Sequence, residues 1–172
     1  MEESVKRLAD ECFSLGAQLE ELSDDLSALN NDIRRTKMQV EELFAQSQQS
    51  GAVVAETLRT YKKELMDDLQ NLGQQWEQLN RSLIALQEHV FAKHEDVQFE
   101  LDHLEEDSEE YALLEDTLDD LSLVYAELTE ILDEMDTLLL AVADLTRTVE
   151  QLPPNLDTNN NGNSSPTSGS GT

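Results

Sequence analysis

From Val5 to Leu43, apolar residues recur in alternating steps of three and four. The series is Val5, Leu8, Cys12, Leu15, Leu19, Leu22, Leu26, Leu29, Ile33, Val40 and Leu43, interrupted only by Thr36. This alternation is the heptad pattern, with a and d side chains lined up in one seam along a helix. An amphipathic surface helix with the 3.6-residue period drifts off such a repeat within a few turns. The pattern therefore confines this stretch to one long helix packed lengthwise against others.

The seam fails at Gln46-Ser47-Gln48-Gln49-Ser50-Gly51, where Ser47 and Ser50 occupy the slots that should be apolar. Gly51 suits a helix C-cap or a turn. A hinge or hairpin turn is expected at about 46–52; the alternative is an uninterrupted helix with a polar layer. A second pattern runs through Leu58, Tyr61, Leu65, Leu69, Leu72, Trp76, Leu79, Leu83, Leu86 and Val90. Its two successive steps of four at 61-65-69 form a stutter, which locally unwinds a left-handed supercoil. It then thins, with Lys93 in a core slot before Val97, Leu101 and Leu104.

Glu105-Glu106-Asp107-Ser108-Glu109-Glu110 is the most polar run of the chain. Asp107 with Glu110 three residues later reads as a capping box opening a third helix, against a continuous helix with an acidic exposed face. The third pattern is Tyr111, Leu114, Leu118, Leu121, Tyr125, Leu128, Leu132, Met135, Leu139 and Val142, then Val149 after the polar Thr146. Pro153-Pro154 ends it, since neither residue donates into a continuing helix. The expected organisation is a helical region 1–152, with helices at about 2–46, 53–105 and 108–152, and a disordered Asn/Ser/Gly-rich tail at 153–172. The fold class is all-α: long heptad-repeat helices forming a helical hairpin or a three-helix coiled-coil bundle.

Flanking positions bear on what surrounds each helix. With Leu8 as d, the e positions of the first helix are Ala9, Gly16, Ser23 and Asn30. Small residues at successive heptads admit a close neighbouring backbone; a small polar surface strip is the alternative. With Tyr111 as a, the later g positions of the third helix are Val124, Ile131, Leu138 and Leu145. A stripe of a, d and g columns is wider than a dimer seam and must face two neighbours or stay wet. A three- or four-helix bundle satisfies it.

Charge narrows the partners. The 172 residues hold 38 acidic and 11 basic side chains, a net charge of −27, with 29 leucines. Such a chain is repelled by nucleic-acid phosphates and by anionic membrane surfaces. Between Glu95 and Glu150 stand 20 acidic residues against the single Arg147. Self-association through this segment stacks like charges, so the expected partner is a different, more basic helical subunit; a homo-oligomer stays open. The opening Met1-Glu2-Glu3-Ser4 lacks the basic-then-apolar order of a signal peptide. The longest apolar run, Leu138 to Ala143, is far short of the roughly 20 residues needed to span a bilayer. Neither membrane insertion nor a nucleic-acid partner is expected, and the expected location is intracellular, cytoplasmic ahead of nuclear.

No catalytic constellation emerges. His89, His94 and His103 lack the i, i+4 spacing that sets two imidazoles on one metal. Glu109-Glu110, Asp119-Asp120 and Asp133-Glu134 read as solvated helix faces. No phosphate-cradling or calcium-binding loop is present, so neither enzyme activity nor a cofactor or metal is expected. Cys12, at an a position, reads as a small buried residue that cannot form an intramolecular disulfide. Trp76 reads as a packing anchor at a helix crossing, and Ser165-Pro166 as a chance tail dipeptide rather than a phosphorylation site.

Two short stretches resemble known families. Trp76-Glu77, Ser82-Leu83 and Leu86-Gln87-Glu88 resemble the start of the coiled coil in dysbindin, a subunit of the complex that builds lysosome-related organelles. Tyr111, Leu113, Glu115, Leu121 and Leu128 through Ile131 resemble a stretch of the coiled-coil region of central-channel nucleoporins. The two point to different complexes, heptads generate such matches freely, and no family is assigned.

The functional expectation is a non-enzymatic coiled-coil subunit or scaffold of a multi-protein complex, of the vesicle-trafficking, kinetochore or spindle, or pore-scaffold kind. Its partner-binding seam comprises Leu15, Leu19, Leu22, Leu26, Leu29 and Ile33 on the first helix and Trp76 and Leu79 on the second. The third helix adds Leu118, Leu121, Tyr125, Leu128, Ile131, Leu132, Leu138 and Leu139. Each fully covered leucine contributes about 1.5–3 kcal/mol. The alternatives are an acidic chaperone or decoy for basic proteins through residues 95–150, and a homo-oligomeric spacer.

Overall fold

A computed structural model describes residues 2–48 and 52–152. Gly51 with its neighbours 49 and 50, and the tail 153–172 with Ser165-Pro166, lie outside the described residues. Three helices account for nearly all the rest: α1 (Glu3–Gln46), α2 (Ala52–Leu101) and α3 (Glu109–Glu150), with no strand among the described residues. The chain is all-α. Its helices divide into two compact units, one of Met1–Ala28 with Trp76–Thr137 and the other of Leu29–Gln75 with Leu138–Thr172. Each unit takes a piece of all three helices.

In the first unit α1 buries Val5, Cys12, Leu15, Leu19 and Leu26, and α2 buries Leu79, Leu83, Leu86, Val90, Val97 and Leu101. The α3 piece contributes Leu114, Leu121, Leu128, Ile131 and Met135. Polar ties fix the order of the pieces. The backbone N–H of Glu2 donates to Glu110 at 3.3 Å, so α1 and α3 start together and run parallel. Lys93 Nζ donates to Glu11 Oε1 at 2.7 Å, and the Trp76 indole donates to the Met135 carbonyl at 2.6 Å, which sets α2 antiparallel to both. Lys93 is the polar residue in a core slot: its stem lies half-buried while its amine reaches the carboxylate of α1.

The second unit repeats the recipe. Leu29, Ile33, Val40 and Leu43 of α1 pack with Leu58, Leu65, Leu69 and Leu72 of α2 and with Leu138, Val142 and Val149 of α3. Thr36 keeps its place in the seam and is buried there. The Tyr61 hydroxyl donates to the Gln39 carbonyl at 3.2 Å, tying α2 to α1.

Helix ends follow local chemistry. At the C-terminus of α1 the Ser47 hydroxyl donates to the Phe44 carbonyl at 2.6 Å, and α2 resumes at Ala52. α1 ends at Gln46, with Ser47 and Gln48 in a turn. The run at 105–110 also breaks the helix, and earlier than expected: α2 stops at Leu101, not near 105, in a turn closed by His103 N–H to Glu100 and Leu104 N–H to Leu101. The cap of α3 is Ser108 rather than Asp107. Its hydroxyl accepts the Tyr111 N–H at 3.1 Å and donates to the Glu105 carbonyl at 2.7 Å. That arrangement satisfies an orphan donor of the first turn, and Glu109 and Glu110 complement the helix dipole there.

The a, d and g stripe of α3 is covered unevenly, with d and g as its buried columns: Leu114, Leu121, Leu128 and Met135 alternate with Thr117 and Ile131 in the first unit. In the second, Leu138 joins Val142 and Val149. The a column lies at the edge. Leu118 and Leu132 are half-buried, and Tyr125 and Leu139 are each 40% exposed. The d and g columns are themselves three and four residues apart, so they form a seam of their own that serves the two neighbouring helices.

Candidate partner-binding surface

Most of the residues expected to bind a partner are occupied within the chain. Leu15, Leu19, Leu26, Leu79, Leu121, Leu128 and Ile131 are buried in the first unit, and Leu29, Ile33 and Leu138 in the second. Leu22, Trp76, Leu118 and Leu132 are half-buried. Of the proposed seam only Tyr125 and Leu139 present substantial surface. Three helices from one chain cover most of what the heptads offer, so a binding surface has to be built from other side chains.

The first unit supplies such a surface, a groove of about 580 Å³ between α1 and α3. From α1 it takes Ala9, Phe13, Gly16, Ala17 and Glu20, and from α3 Asp120, Leu123, Val124 and Glu127, with Cys12, Leu19, Thr117 and Leu121 beneath. Phe13 is 81% exposed and Leu123 70% exposed. Gly16 lies on the groove wall. A Cβ built on it meets nothing within 4 Å, so no neighbouring backbone closes on this position. The close approach expected at the small e residues fails here, although the Ser23 hydroxyl on the same column is buried without a hydrogen-bond partner. Thr117 directs its hydroxyl to the Leu113 carbonyl of its own helix at 2.7 Å, so the buried part of the wall carries no free polar group from it.

Electrostatics give the groove its sign. Glu20, Asp120 and Glu127 line it, and no lysine or arginine does. Lys93 of α2 is paired with Glu11 of α1. That hydrogen bond and the lysine charge hold the Glu11 carboxyl below its ordinary range, and the same bond raises the Lys93 ammonium. Burial pushes the Cys12 thiol up to about 11.

Of the other uncovered large side chains on the first unit, Ile84, Phe91 and Phe99 belong to α2 and Tyr125 to α3. Phe99 is partly engaged by His103, with ring centroids 4.5 Å apart. Among the described residues no group of three or more His, Cys, Asp or Glu is placed to hold a metal ion, and no helix is long and apolar enough to cross a membrane. Ala9, Gly16 and Val124 are the small and apolar flanking residues of the heptads, whereas Phe13 and Leu123 escape the heptad reading because they stand outside the a, d, e and g columns. The available signal was an aromatic residue three positions before a helical glycine.

The chain matches no known family model, no curated protein and no solved structure. Neither short resemblance gains support from them, and the surface has to be read from its own chemistry.

Proposed function

We propose that the chain is a non-enzymatic structural subunit of a multi-protein assembly that engages a helical partner. The observation that carries this reading is the exposure of Phe13 and Leu123 along an open groove, while the leucine seams are covered by the chain's own helices. Large apolar side chains grouped at a concavity are the usual mark of an interface, whereas scattered ones are not. The folded bundle presents the site and the partner completes it. A cytoplasmic location is part of the same proposal.

The acidic decoy is the second reading, favoured by the 20 acidic residues against one arginine between Glu95 and Glu150. Salt separates the two. At 0.5 M ionic strength screening acts within about 4 Å, so an electrostatic client leaves and an apolar contact holds. Isolation from the native source at 0.1 and 0.5 M salt tests the proposal. A stoichiometric partner retained at the higher salt supports it, release of all partners favours the decoy, and a monomer in both extracts overturns both. A stable self-assembly without other chains identifies the homo-oligomeric spacer.

A further inference from the structure

We infer that the α1–α3 groove of the first unit receives a basic amphipathic helix from another protein, an inference that rests on the structural-subunit reading and gives it a site. The walls are two parallel helices, so the complementary shape is a third rod whose side-chain ridge enters between them. Ala9, Gly16 and Ala17 keep α1 low along the groove, and Phe13 and Leu123 stand exposed beside it. From Ala9 to Glu20 the helix rises about 16 Å, roughly three turns. An occupant of that length offers apolar anchors at i, i+3 or i+4, and i+7.

Charge selects the occupant. Three carboxylates and no cation line the groove, which matches a helix whose flanking positions are lysine or arginine. The chain's own C-terminal segment is a poor fit: Pro153 to Thr172 contains no lysine or arginine, one aspartate, and Leu156 as its single large apolar residue. A second copy brings the same acidic groove and a charge of −27 to the contact. Neither offers what the lining asks for.

The probe is a synthetic fluorescent 21-residue peptide with leucines at helical i, i+3/i+4, i+7 spacing and lysine at the remaining positions. A scrambled peptide of identical composition serves as the control, and both are titrated against the full chain at 0.1 and 0.5 M salt. The amphipathic peptide is expected to bind, to retain binding at the higher salt, and to outcompete the scrambled one. Gly16→Leu fills the groove without meeting any atom at the Cβ and is expected to weaken binding by about tenfold or more, equivalent to about 1.4 kcal/mol. Leu123→Ser, at an exposed position, is the second groove variant and is expected to act in the same direction, while Phe91→Ser on α2 leaves affinity unchanged.

Equal binding of the scrambled peptide, indifference to both groove variants, or no binding overturns the inference. So does self-association of the chain that Gly16→Leu abolishes, since the occupant is then a second copy. A salt-resistant partner in native extracts that still binds Gly16→Leu sinks the groove alone and leaves the subunit reading standing. Absence of any such partner removes both.

Discussion

The indole N–H of Trp76 on α2 donates to the backbone carbonyl of Met135 on α3 at 2.6 Å, across the core of the first unit. A half-buried ring with its polar tip on a helix carbonyl does two jobs: it covers apolar surface and fixes how far α2 slides along α3. Met135 itself is fully buried, so the contact is anchored from both sides. Tyr61 repeats the device in the second unit, with its hydroxyl on the Gln39 carbonyl of α1. Burial raises the Tyr61 phenol above its ordinary range, with Glu42 and Glu64 adding to it.

Replacing Trp76 by phenylalanine removes the hydrogen bond and part of the covered area while leaving an aromatic ring. The expected loss is about 1–2 kcal/mol, read as a lower urea midpoint with an unchanged slope. Met135→Ala leaves a cavity and costs about 2–5 kcal/mol. Equal stability of Trp76→Phe and the parent chain shows that the indole contact contributes nothing.

Cys12 gives a second prediction. It is 5% exposed, and burial pushes its thiol up to about 11, so the thiolate that reacts with disulfide reagents is scarce at neutral pH. Aromatic disulfide reagent at pH 8 is expected to label the native chain slowly and the urea-unfolded chain at once. Mild oxidation is expected to give no cross-linked dimer. Rapid native labelling contradicts the packing of α1 in the first unit.

The sequence carried the fold well where one apolar column alternated with its partner and nothing competed. Val5 to Leu43 is the clearest case: every a and d position there is buried or half-buried, Thr36 included. On α3, where a, d and g are all apolar, periodicity alone does not say which two columns face inward; d and g do, and Tyr125 and Leu139 of column a lie at the edge, 40% exposed. Helix ends were legible to within a few residues, but Asp107 and Ser108 are both good caps and only the hydroxyl geometry separates them. The groove was hardest. A glycine in a heptad pattern signals either close packing or open space, and the choice depends on what stands opposite, which a one-dimensional pattern does not contain.

The Lys93–Glu11 pair sets a pH window. The lysine hydrogen bond, then its charge, lowers the Glu11 carboxyl, so the pair's stabilisation is present above the ordinary carboxylate range and disappears as pH falls through the lowered value. The bond to Glu11 raises Lys93, so the same stabilisation is present below the ordinary lysine range and disappears as pH rises through the raised value. Lys93→Met keeps an apolar stem in the core slot and removes the charge. The stability difference between Lys93→Met and the parent is expected to favour the parent most between those two ranges and to shift toward the variant at both acidic and alkaline extremes. Thermal melts across pH check this, and a difference that stays flat from end to end contradicts it.

Gly16 and Gly73 provide the last test, because both lie inside long helices where glycine is a poor helix former. A Cβ at either position meets nothing within 4 Å, so alanine fits without a shift of the neighbours. Each Gly→Ala change is expected to stabilise by about 0.5–1 kcal/mol through backbone entropy alone, seen as a higher melting temperature. Gly73→Ala is expected to leave binding of the basic amphipathic peptide unchanged, since it lines no part of the α1–α3 groove. Gly16→Ala puts a methyl group on the groove side of α1, and is expected to gain stability while losing part of that binding. A glycine that costs the fold stability yet keeps a groove open is the expected signature of a binding position. If Gly16→Ala melts higher and binds the peptide as tightly as the parent, the opening at Gly16 has no role in recognition.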